Sequence, residues 1–165
     1  MSSTPKDIGH VVLNVTDVER STKFYSEVVG FQVAKHRSDW TAAFLTCGVA
    51  HHNLALFKAS KEAKPYENGQ VGLRHFAFKV ETYEALQEAH ERLVAAGTTI
   101  DHITNHGTTR SVYFRDPDGM VMELYSDTFA TDEEGLAYMQ STTGRATPLD
   151  ITAPEPPRPA IPGRN

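Results

Sequence analysis

One cysteine, Cys47, is all that the 165 residues carry. An internal disulfide is excluded, and the chain reads as one kept in a reducing cytoplasm. Apolar runs are short, and none approaches the roughly 20 residues of a membrane span. The opening Met1-Ser2-Ser3-Thr4-Pro5-Lys6-Asp7 has no apolar signal region, so secretion is not expected. Basic charge is scarce as well. The 16 Lys and Arg against 21 Asp and Glu leave a formal charge of −5. They are scattered, without the stripe that nucleic acid requires or the amphipathic basic helix that suits a membrane surface. Neither class of partner is expected. Histidine, by contrast, is plentiful at eight residues. It titrates near neutral pH and is the commonest metal ligand.

Two strings place a histidine third in a strand-like run. They are Ile8-Gly9-His10-Val11-Val12-Leu13-Asn14-Val15 and Leu73-Arg74-His75-Phe76-Ala77-Phe78-Lys79-Val80. Each is followed by a helix-like stretch stopped by glycine. His10 precedes Gly30 by 20 residues, and His75 precedes Gly97 by 22. Residues 8–15 predict a strand, and Asp17 caps a helix through about Val29 with Val18, Thr22 and Tyr25 on one face. Strands follow at 31–37, 40–46 and 52–58. Residues 59–70, with Pro65, Asn68 and Gly69, read as an exposed linker. The second half repeats the order. A strand spans 73–80, and a helix runs from about Tyr83 to Ala96 with Tyr83, Leu86, His90 and Leu93 on its stripe. Strands follow at 99–104, 110–115 and 120–126. Asp116-Pro117-Asp118-Gly119 suits a tight turn between the last two.

The pattern is βαβββ twice, a duplication. It predicts an α+β fold of two tandem modules, about 7–58 and 71–127, forming a curved mixed sheet around a metal site. Residues 1–130 make one domain and 131–165 a Pro-rich tail. From Pro148 on, the chain holds six of its nine prolines and too little apolar content to build a core, so the tail wraps the surface or is disordered.

Within each module the first and last strands are expected to lie side by side. His10 and His75 occupy equivalent places on the two first strands. Glu123 interrupts the apolar run Met120-Val121-Met122-Glu123-Leu124-Tyr125 on the last strand. A buried, unpaired carboxylate is costly, so this one asks for a cation. Two imidazoles and one carboxylate are the ligand set that binds non-haem Fe(II) on one face and leaves the other open.

With these residues the chain resembles the vicinal-oxygen-chelate superfamily, which includes glyoxalase I, fosfomycin- and bleomycin-resistance proteins and type I extradiol ring-cleavage dioxygenases. Two further stretches narrow the likeness. Phe44 to Leu56, with His51-His52-Asn53-Leu54-Ala55, resembles the dioxygenase segment ending His-His-x-Leu-Ala. Asn105-His106-Gly107, then Ser111 to Gly119, then Glu123-Leu124-Tyr125, resembles the dioxygenase C-terminal signature. The resemblance covers about residues 7–130 and is to the small one-domain extradiol class. It implies a glyoxalase-like fold holding Fe(II), with Mn(II) as a substitute, at His10, His75 and Glu123. O2 would be co-substrate and a catechol the small-molecule substrate, in a chain able to form a homo-oligomer. It also implies that His52 is the acid–base histidine, that Tyr113 hydrogen-bonds a substrate oxygen, and that His106 borders the substrate and oxygen site, with His102 as its competitor.

The chemistry agrees. A catechol must lose a proton to chelate iron through both oxygens, and a histidine titrating near neutrality can take it. Alternation along a strand would turn His51 away if His52 faces the site. His36 and His90 read as surface or helix-face residues, and Trp40, Phe44 and Phe57 as packing residues more than a pocket lining. Two rivals stand beside this reading. Aligning Gly48 with Gly119 sets His52 opposite Glu123, giving a four-ligand Zn or Ni site for a glyoxalase-like isomerase. The other rival is a small-molecule binding protein without catalysis.

Overall fold

The computed structural model describes residues 4–64, 66–67 and 69–163. Met1-Ser2-Ser3, and the Pro65 and Asn68 on which the expected linker partly rests, lie outside the described residues. The chain divides into two compact units. One runs to Tyr66 and takes in Asp116–Gly119; the other comprises Glu67–Arg115 and the chain from Met120 on.

In the first unit, strands β1 (Val11–Val15), β2 (Gln32–His36), β3 (Ala42–Thr46) and β4 (Leu54–Lys58) form a sheet of order β1-β4-β3-β2. β1 runs parallel to β4, so the first and last strands of the module do lie side by side. Period-2 alternation sends Leu13, Val15, Ala43, Leu45, Leu54 and Leu56 into the core. Against them pack Val18 of helix α1 (Val18–Lys23) and Tyr25 and Val29 of its π-helical continuation, Phe24–Val29. Asp17 caps this helix as expected, accepting a hydrogen bond from the Arg20 N–H. Gly30, at φ 108°, ends it in the left-handed conformation that glycine tolerates. The widening to a π-helix leaves no trace in the apolar spacing.

In the second unit, β5 (Phe76–Lys79), β6 (Ile100–Asn105), β7 (Thr109–Arg115), β8 (Val121–Asp127) and β9 (Thr147–Pro148) form a sheet of order β5-β8-β7-β6-β9. β5 and β8 are parallel, repeating the β1–β4 relationship. Hydrogen bonding thus keeps each module's strands in a sheet of its own, not one continuous sheet. Helix α2 (Tyr83–Ala95) buries Tyr83, Leu86, Ala89 and Leu93. Ala89, one residue before the expected His90, completes the stripe, and His90 stays partly exposed. The sheet's inner face, with Val112, Phe114, Met122 and Leu124, is buried. No helix among the described residues is long and apolar enough to cross a membrane.

Residues 130–163 are ordered structure of the second unit. Helix α3 (Asp132–Ser141) is capped by Thr131, whose side chain accepts from the Glu134 N–H. β9 pairs with β6. Ile151 is buried, and its carbonyl accepts from the Gln87 amide at 2.8 Å. Farther on, the wholly buried Arg110 donates to the carbonyls of Pro156 (3.2 Å) and Pro157 (3.5 Å). Low apolar content did not leave this segment loose, because side chains of the sheet and of α2 bond its backbone.

Candidate functional site

In the second unit, alternation puts a polar row on the sheet face opposite the core. Ala77 pairs with Glu123 across β5–β8, and Tyr113 pairs with Glu123 across β7–β8 and with His102 across β6–β7. His75, one residue ahead of β5, shares the parity of Ala77 and reaches Glu123, with Nε2 to Oε2 at 3.1 Å. Glu123 is only 7% exposed, as its setting in an apolar run predicts. The pair fits a metal. Two neighbouring ligands at right angles with bonds of about 2.1 Å stand about 3 Å apart, which matches this spacing.

Tyr113 lies at the centre of this row. Its hydroxyl is 3.1 Å from His106 Nε2. Its ring stacks on His102 at 4.1 Å and meets the edge of His75 at 5.3 Å. Both competitors for the bordering position therefore touch the same tyrosine, His106 at the hydroxyl and His102 on the ring face. A β-bulge between Ile100 and His102 shifts the register that sets His102 opposite Tyr113. Burial, followed by the charge and hydrogen bonding of Glu123, pushes the Tyr113 hydroxyl well above the ordinary tyrosine range. It stays protonated at neutral pH and is a donor.

In the first unit, the loop between β3 and β4 is held by Asn53, whose side chain accepts from the Cys47 N–H and whose carbonyl accepts from the Val11 N–H. That second bond ties the residue after His10 to the loop, and the His10 and His52 rings lie 4.6 Å apart. His52 sits in the loop just before β4, not in the strand. The expected alternation with His51 therefore does not apply. Their rings lie side by side at 4.5 Å, with the two Nδ1 atoms 2.5 Å apart. Phe44 meets the His52 ring edge-on at 5.5 Å and Phe57 at 6.0 Å. Desolvation, with smaller effects from His51 and His10, lowers the His52 pKa and favours its neutral form. Trp40, in the β2–β3 turn, stacks on His36 at 4.1 Å.

Of the expected ligands, then, His75 and Glu123 come together, and His10 is found beside His52. Among the described residues, no three His, Cys, Asp or Glu side chains converge in a metal-binding cluster. Reading the sequence missed α3. Met139, Thr142 and Gly144 face His106, Tyr113 and Glu123 across a cleft of about 530 Å³. The signal was present in Thr131-Asp132-Glu133-Glu134, which has the spacing of a capping box.

Residues 7–124 match the description of the Glyoxalase/Bleomycin resistance protein/Dioxygenase superfamily. A Rhodococcus globerulus protein named biphenyl-2,3-diol 1,2-dioxygenase 2 is 32% identical over 152 residues, covering 92% of this chain and 78% of the relative. A second from that organism, biphenyl-2,3-diol 1,2-dioxygenase 3, is 36% identical over 140 residues, covering 84% and 72%. The crystal structure of a glyoxalase/dioxygenase from Nostoc punctiforme superimposes with a TM-score of 0.63 over 74% of this chain and 91% of that one; at 24% identity this is likeness of fold. With its duplicated βαβββ modules and parallel first and last strands, the chain belongs to the glyoxalase/bleomycin resistance protein/dioxygenase superfamily.

Proposed function

We propose that the protein is an Fe(II)-dependent extradiol dioxygenase. It would cleave a catecholic ring beside the diol and place both atoms of O2 in the product, a muconic semialdehyde or its equivalent. The observation that carries the reading is the row His75, Glu123, Tyr113 and His106 on one sheet face: a ligand pair beside a hydroxyl and an imidazole able to address substrate oxygens. Relatives named as dioxygenases support it. His10 completes the proposed ligand set.

Iron at these ligands would supply chelation of the diol and activation of O2. Neutral His52 takes a proton from a catechol hydroxyl and later returns it to a departing oxygen. Tyr113, kept protonated by burial and by Glu123, donates a hydrogen bond to a ring oxygen and orients it. His106 sets the direction of the Tyr113 hydroxyl from 3.1 Å.

Anaerobic loading with Fe(II), followed by catechols and air, tests this. Yellow product with one O2 consumed per catechol is expected. No colour and no O2 uptake across simple, bulky and carboxylated catechols would sink the reading. A second reading takes its support from the His10–His52 spacing of 4.6 Å. His52 is then a fourth ligand beside His10, His75 and Glu123, in a Zn or Ni isomerase. Tightly held Zn or Ni with turnover of a methylglyoxal–thiol adduct would establish it.

A further inference from the structure

Helix α3 is weakly anchored for an element that walls a candidate site. None of its residues is buried, and ten residues are too few to hold a helix in water without packing. Its attachment is local. Tyr138 lies so close over Gly107 that a Cβ there would meet the ring at 2.6 Å. Phe129 packs on Tyr138 at 5.3 Å. From the tail, Arg158 lies over the Phe129 ring at 5.8 Å and reaches Glu134 at 3.5 Å. The tail therefore fixes where α3 stands beside His106.

Met139 occupies a particular place on that helix. It borders the polar cleft of His106, Tyr113 and Glu123, and also an adjoining recess of about 230 Å³ that includes Tyr125, Phe129 and Leu136. Met139 is 61% exposed and Leu136 54%. Apolar side chains bared along a groove with polar groups at one end are the usual form of a small-molecule site. A thioether on an unbranched chain also adapts to an aromatic or alkyl group.

We propose that α3 is the specificity-determining wall of the cleft, and that Met139 governs which apolar substituent a catechol ring can extend into the recess. This rests on the ring-cleavage reading. The diol lies at Glu123 and Tyr113, and the substituent passes Met139 toward Leu136 and Phe129. Met139 takes no part in proton or metal chemistry, so its replacement changes discrimination between substrates and leaves iron content as it was.

The test compares catechol with 3-phenylcatechol on iron-loaded wild type and Met139→Trp. Filling the recess should lower kcat/KM for 3-phenylcatechol about tenfold or more relative to that for catechol. A parallel change for both substrates, or none for either, overturns the wall. A second measurement needs no turnover. With 13C-methyl methionine and redox-inert Zn(II), the Met139 methyl resonance, identified by its loss in Met139→Leu, should move more with 3-phenylcatechol than with catechol. An unmoved resonance overturns the wall. If wild type cleaves neither compound, the methyl shift alone decides the wall, and ring cleavage falls only when carboxylated catechols fail as well.

Discussion

His75 Nε2 and Glu123 Oε2 stand 3.1 Å apart on one face of the second sheet, joined by the parallel pairing of β5 with β8. Removing either group takes away half of the pair. Iron per chain after anaerobic loading and desalting should fall from near one to near zero in His75→Ala and in Glu123→Ala. Stoichiometric iron retained in either variant counts against these ligands.

His52 separates the two functional readings. As an acid–base group it is dispensable for holding metal, so His52→Ala should keep its iron while kcat falls by about a hundredfold or more. Loss of the metal with this one change would make His52 a ligand. Iron assay and steady-state kinetics on the same preparation decide between them.

Gly107 has two reasons to be glycine, a φ of 81° and the Tyr138 ring where a Cβ would stand. Gly107→Ala should cost about 1–2 kcal/mol from backbone conformation alone, and displace Tyr138 besides. Hydrogen exchange in 132–141 should quicken while β7 and β8 keep their protection. Unchanged exchange in α3 would mean that this contact does not hold the helix.

Acid should reveal the Asp101–Arg115 pair. The Arg115 guanidinium at 2.7 Å, opposed by desolvation and aided by His102, holds the Asp101 carboxyl below its ordinary value of 3.8. A depressed folded-state pKa stabilises above the unfolded value, and that stability is lost as pH falls through the folded one. Wild type should therefore melt above Asp101→Asn at pH 6, and the gap should close below pH 3.8. A constant gap across that range would show that the charge contributes nothing.

The strand parities and helix stops could be read from the sequence because they are local. Gly30 and Gly97 end helices where the apolar spacing ends, and the apolar run around Glu123 marked it as a buried carboxylate. The neighbouring placement of each module's first and last strands, which joins His75 to Glu123, was expected; that they run parallel was added by the structure. What escaped depends on other kinds of information. The bulge at Ile100 and His102 has no composition mark, so the sequence could not rank His102 against His106. His52 was placed in a strand because its neighbours are strand formers, yet it lies in the loop that the Asn53 side chain holds by accepting from the Cys47 N–H. The tail was judged by its prolines, which hid the Thr131–Glu134 cap and the buried guanidinium that binds its backbone.

That guanidinium has a consequence for how the protein is made. Arg110 donates to Asn105 and Thr128 as well as to Pro156, a residue 46 positions later. On a ribosome adding about 5–20 residues per second, β7 would wait roughly 2–9 s for the last of these partners to be synthesised. Until then Asn105 and Thr128 are its acceptors, and the donors that later meet the tail are left to water. The nascent chain is thus exposed to chaperones and proteases until the tail docks, and a premature stop near residue 150 would leave that exposure permanent.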